Sequence, residues 1–122
     1  MSAKSDFVDW LKARHGEIMA CERQAYERLD SGDKAGYEAG MREKAAKLRD
    51  LHRLALAEGL KKLPAAEADE VERRLSAFSS GGATALSLGS LFYLSALLYR
   101  DDHKEGEPDN LAVLISGLES GA

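Results

Sequence analysis

Residues 79–100 read SSGGATALSLGSLFYLSALLYR, and from Leu75 to Tyr99 the chain carries no charged side chain, although 31% of its residues are charged. Three readings compete for this stretch: a membrane span, the buried post of a helical bundle, or a face meant for another chain. Length weighs against the first. The part after the glycine pair is about 17 residues, which at 1.5 Å per residue spans on the order of 26 Å, short of the roughly 30 Å hydrocarbon core of a bilayer. Thr84, Ser87, Gly89, Ser90 and Ser95 dilute its hydrophobicity, and Tyr93 stands near its middle, away from the interface where tyrosine concentrates. On a helical wheel Leu86, Leu91, Leu94, Leu97 and Leu98 cover one broad side and Leu88, Phe92 and Tyr99 another; a helix apolar all round is a helix covered all round. The stretch is expected to form a central helix over 83–100, with SSGG ending the helix before it. Ala85, Gly89 and Ala96 then align as a small-residue stripe that admits close approach of another backbone, from the same chain or across a dimer seam.

Working outward, amphipathic segments are available to cover such a post. Ser5 can cap a first helix over 6–29, where Phe7, Leu11, Ile18, Ala25 and Leu29 share one face. DSGD at 30–33 makes a short turn, and Asp33 can cap a second helix over 34–59 striped by Tyr37, Met41, Ala45, Leu48 and Ala55. So short a connection makes these two helices an antiparallel hairpin. Pro64 suits the first turn of a third helix over 64–79, with Ala68, Val71, Leu75 and Phe78 inward. RDDHKEGEPDN is a polar loop, after which a short fifth helix over 108–119 presents Leu111, Leu114, Ile115 and Leu118. The expected fold is an all-α single-domain bundle of four longer helices plus a short C-terminal helix.

Composition agrees. A chain of 122 residues fits one domain, alanine, leucine, glutamate, lysine and arginine dominate, and the β-branched residues that strands favour are scarce. The net charge of −4 argues against nucleic acid or an anionic membrane surface as the main partner. Cys21 is the single cysteine, so no intramolecular disulfide forms, and charges interrupt the N-terminal segment from Lys4 onward; both features fit a cytoplasmic protein.

Few residues invite chemistry. His15 and His52 lie on apolar faces of the hairpin helices and could approach each other as half of a metal site, but the carboxylates that a di-iron bundle draws from its other helices are missing from 83–100. Glu22 sits at the centre of a hydrophobic stripe and needs a partner; Lys44 on the facing helix and the hydroxyls of Tyr26 and Tyr37 are within reach. The turn from Ser79 to Thr84, with Ser80, Gly81, Gly82 and the preceding Arg74, leads into the expected helix over 83–100, whose free N-terminal NH groups can hold an anion, although no P-loop motif accompanies it. Residues 101–112 fail as an EF-hand because Ala112 occupies the place of the bidentate glutamate. Cys21 has no base or cationic neighbour arranged to form a thiolate. Motifs for nucleotides, zinc or nucleophilic catalysis are absent, and no cofactor is expected. The sequence leads to a non-enzymatic protein-interaction role, with a partner protein or a homodimer. The alternatives are a ligand, metal or catalytic site near His15, Glu22 and His52, and an anion-responsive turn at 79–84.

Overall fold

Helix α1 starts where Ser2 accepts a hydrogen bond from the Ser5 NH at 3.0 Å, and it runs Ala3–Asp30 in a computed structural model that describes residues 2–120. The cap is therefore one turn earlier than Ser5. The chain reverses through Ser31 and Gly32, and Asp33 caps α2 (Lys34–Glu58) by accepting from the Gly36 NH at 2.8 Å. Gly59 ends α2, a 3-10 turn follows at Leu60–Lys62, and Pro64 precedes α3 (Ala65–Leu88).

Here the structure departs from the sequence reading. The segment SSGG does not end a helix, and no helix spans 83–100; α3 continues through the glycine pair and stops at Gly89, whose φ of 65° is left-handed. Tertiary packing holds the glycines in the helix against their low propensity. A Cβ on Gly82 would stand 2.7 Å from the Ala45 carbonyl oxygen and 2.9 Å from the Arg49 nitrogen, so glycine is what lets α3 cross the α2 backbone closely. One turn earlier, the Ser79 hydroxyl donates to Leu48 O at 2.8 Å and accepts from His52 NH at 3.0 Å, engaging both ends of a backbone step of α2. What remains of the expected central post is the six-residue α4 (Leu91–Ala96), a turn at Leu97 and Leu98, and an extended loop. Of α4 itself Leu94 is buried, and Leu98 beyond it, while Leu91, Phe92 and Tyr93 are exposed. Helix α5 (Asn110–Ser120) begins after Asp109 rather than at Pro108, because Asp109 Oδ1 accepts from Leu111 NH at 3.0 Å and Ala112 NH at 2.9 Å.

The result is an all-α bundle whose three long helices form an antiparallel layer with α2 in the middle. Helix α5 packs Leu111, Leu114, Ile115 and Leu118 into a cluster with Phe7, Leu11, Leu48, Leu51, Val71 and Leu75, closing one half of the layer. Helix α4 inserts Leu94 into a second, smaller cluster with Ala25, Tyr37, Met41, Ala45 and Ala85. The boundary between the clusters falls between Ile18 and Ala25 on α1 and between Ala45 and Leu48 on α2. Among the described residues no helix is long and apolar enough to cross a membrane.

Candidate functional site

Two places stand out, one polar and one apolar. The polar one lies at the boundary between the clusters. Glu22, one of the few buried charged residues, accepts from Lys44 Nζ at 2.8 Å through Oε1 and from the Tyr99 hydroxyl through Oε2. Lys44 has no solvent exposure, and its ammonium stands 5.1 Å from the centroid of the Tyr99 ring, a cation–π distance. Burial depresses the Lys44 pKa, and the bond to Glu22 together with the charges of Glu22 and Asp109 opposes that shift without cancelling it. Burial first, and then the hydrogen bond to a carboxylate, push the Tyr99 phenol far above its ordinary range.

A second limb joins the loop to α1. His15 Nε2 lies 2.8 Å from Oδ2 of the buried Asp109, whose other oxygen caps α5. Burial alone would raise the Asp109 pKa, but the His15 bond and the Ala112 and Leu111 NH groups outweigh it and leave the carboxyl below its usual value. His103 packs against Tyr99 with ring centroids 4.7 Å apart, and its Nε2 pairs with the Glu107 carbonyl at 2.9 Å. Met19, Glu22, Tyr26, Tyr99, His103 and Asp109 border an open cleft of about 490 Å³.

The structure thus brings Glu22 and Lys44 together and adds Tyr99, which the sequence reading missed. A separation of 77 residues from Glu22 and a position beyond the turn at Leu98 left no local signal for it. Tyr26 and Tyr37 instead pair with each other, centroids 5.6 Å apart. His15 and His52 are not partners, since each imidazole finds its own carboxylate. His52 Nε2 lies 3.3 Å from Glu72 Oε2, and Glu72 also accepts from Lys61 at 2.6 Å. Among the described residues no group of three or more histidine, cysteine or acidic side chains is arranged to hold a metal ion. The anion turn does not form either: Ser80, Gly81, Gly82 and Thr84 lie inside α3, where backbone NH groups serve the helix, and Arg74 lies 3.7 Å from Glu70. Cys21 is buried, and burial followed by the nearby Glu43 charge raises its thiol pKa, which favours the unreactive form.

The apolar place is made by what would have been the central helix. Leu88 is 61% exposed, Phe92 74% and Tyr93 52%, and the last two rings meet edge to face at 5.5 Å. Leu88 and Tyr93 also border an open groove of about 610 Å³, whose other walls include Ala77, Phe78, Gly81 and Thr84 of α3 and Ala96 and Leu97 after it, while Phe92 stands outside it. Ala85, Gly89 and Ala96 do not form one stripe, because they belong to different segments: Ala85 is buried in the second cluster, Gly89 ends α3, and Ala96 ends α4 at the groove. Further down the same side of α3, Ala66, Glu70, Val71 and Arg74 face Val113 and Gly117 of α5 across a second cleft of about 480 Å³. No protein-family model matches the chain, nor does any curated protein or any solved structure.

Proposed function

We propose that this protein is a non-enzymatic, cytoplasmic interaction module that binds the apolar face of another folded polypeptide through the uncharged surface of α3 and α4. One observation carries the reading: Leu88, Phe92 and Tyr93 stand exposed together beside an apolar groove, within a 25-residue segment devoid of charge. Contiguous apolar surface rimmed by charged surface marks interaction sites, whereas single exposed hydrophobic residues do not. The polar network supports the same reading from the other side. The oxygens of Glu22 and Asp109 are taken up by Lys44, Tyr99, His15 and two backbone NH groups, so these carboxylates act as ties between elements. The free and buried Cys21 suits a reducing compartment.

The test is the binding of an environment-sensitive apolar dye to dilute protein. Phe92→Asp and Leu88→Asp are each expected to reduce dye fluorescence at least about threefold while the far-ultraviolet circular dichroism stays that of the native helices. Unchanged dye binding in both folded variants would remove the open apolar face, and with it the proposed role.

A further inference from the structure

We infer that the occupant of the α3–α4 face is a second copy of this chain, seated about a two-fold axis so that the projecting Phe92 ring of each copy enters the groove of the other. The inference rests on the interaction reading above and adds the identity of the partner. Shape is the first argument. Leu88 and Tyr93 form part of the rim of a groove of about 610 Å³, and the exposed ring of Phe92 stands outside that groove against Tyr93, so one face of the molecule carries both a projecting ring and a recess. Two copies related by a two-fold axis present both features to each other, which is what an isologous contact requires. Ala77, Gly81 and Ala96 leave space in the groove between the larger walls Phe78, Leu88, Tyr93 and Leu97, and a Cβ on Gly81 would meet nothing closer than Leu97 Cδ2 at 3.7 Å.

Charge is the second argument. Any partner surface facing residues 75–99 must be uncharged to avoid burying an unpaired ion. The same stretch of a second copy meets that condition along its whole length. The lower cleft does not share this property, since Glu67, Glu70 and Arg74 border it, so the contact belongs to the upper half of α3. Area is the third argument. With about 200 Å² for a full side chain, the exposed parts of Leu88, Leu91, Phe92 and Tyr93 come to on the order of 450 Å². Complete reciprocal burial of these residues removes about 900 Å² from water, and the remaining groove walls Ala77, Thr84 and Ala96 bring the contact to the roughly 1,000 Å² that a specific interface needs. An interface near that lower bound falls in the size class of weak, transient contacts, so the dimer is expected to dissociate on dilution.

Sedimentation equilibrium between 1 and 200 µM reads the outcome. The wild-type mass is expected to rise from that of the 13.3 kDa chain towards twice that value as concentration increases. Phe92→Asp removes the projecting ring and Ala77→Trp fills the groove from an exposed position; each is expected to raise the dimer dissociation constant at least tenfold. Arg53→Glu, on an exposed part of α2, is expected to leave it within twofold. Circular dichroism confirms that each variant is folded, and the two face variants alter different walls of the contact, so either one alone suffices. A wild-type chain that stays monomeric to 200 µM overturns the inference, and so does a dimer indifferent to both face variants. The dye experiment separates the two levels of the argument. A monomer whose dye binding vanishes in Phe92→Asp loses the second-copy partner but keeps the interaction face, whereas a monomer whose dye binding is untouched loses both.

Discussion

Removing the Lys44 ammonium from water costs several kcal/mol, and three features of the structure compensate: the Glu22 carboxylate at 2.8 Å, the face of the Tyr99 ring at 5.1 Å, and the nearby charge of Asp109. The pair behaves as a unit, so its members are not equally replaceable. Lys44→Met leaves a buried carboxylate with Tyr99 alone and is expected to destabilise by about 3 to 5 kcal/mol, while Glu22→Leu with Lys44→Met should lie far closer to wild type. Urea unfolding of the two singles and the double gives the coupling, and additive losses would show that the pair is not a unit. Asp109 makes a second residue-scale prediction. Its carboxyl pKa is depressed in the folded protein, so its stabilisation is fully present above the ordinary value near 3.8 and is lost as pH falls through the lower folded value. Asp109→Asn is expected to cost about 0.5 to 2 kcal/mol at pH 7 through the weakened α5 cap and the lost His15 pairing. The difference from wild type should shrink as pH drops below about 3.8. Unfolding curves collected from pH 7 to pH 2.5 measure it, and a difference constant across that range would contradict the assignment. The need for a partner at Glu22 was legible in the sequence, because a carboxylate within an apolar stripe cannot stay unpaired. That Lys44 supplies it followed from the hairpin; that Tyr99 completes it did not, because no local rule relates residues 22 and 99.

At the scale of elements, the two adjacent glycines of α3 sit in one continuous helix but face different surroundings. Gly81 faces the groove, with Leu97 at an ordinary contact distance from a Cβ, whereas Gly82 faces the α2 backbone at distances no Cβ tolerates. Gly81→Ala is therefore expected to stabilise by about 0.5 to 1 kcal/mol through helix propensity. Gly82→Ala is expected to destabilise by about 1 to 3 kcal/mol, because α2 and α3 must move apart. Thermal and chemical unfolding of the two variants should show opposite signs, and equal signs would refute the continuous helix. The sequence reading placed a break here because a serine and glycine cluster usually ends a helix. The break came at Gly89 instead, where nothing packs so tightly and the left-handed φ is available. Local propensity could not discriminate between the two glycine sites, since the deciding atoms, Ala45 O and Arg49 N, belong to another helix.

At the scale of the whole molecule, shortening the fourth helix to six residues changes what the uncharged stretch does. A helix of 18 residues in the middle of a bundle would have buried Leu88, Phe92 and Tyr93. The observed α4 buries Leu94 and leaves those three outside, so the segment that looked like the core is half core and half surface. If two copies share that surface, apparent stability depends on concentration as well as on sequence, because association stabilises the folded state by mass action. A melting temperature that rises between dilute and concentrated protein is the calorimetric counterpart of the dimer seen by sedimentation. The loop that follows α4 is held in place by distributed ties: Tyr99 to Glu22, Asn110 NH to Leu98 O at 2.8 Å, and Asp109 to His15. These anchor α5 over the larger cluster, and the chain returns to α1 without a strand or a disulfide among the described residues.

The sequence by itself determines the helical class, the first hairpin with its Asp33 cap and Gly59 stop, and the inward faces of α2, of α5, of α3 as far as Phe78, and of α1 except at Leu29, which the apolar spacing places inward and which is 36% exposed at the hairpin tip. These follow from propensity, capping and the 3.6-residue period, all of which act within a few neighbouring residues. Tertiary structure alone decides that α3 passes through Gly81 and Gly82, that His15 and His52 take separate carboxylates, that Tyr99 closes the Glu22–Lys44 pair, and that the uncharged stretch opens to the surface. Each of these depends on atoms brought together from distant parts of the chain, where contact geometry outweighs local preference and no period or motif records the outcome.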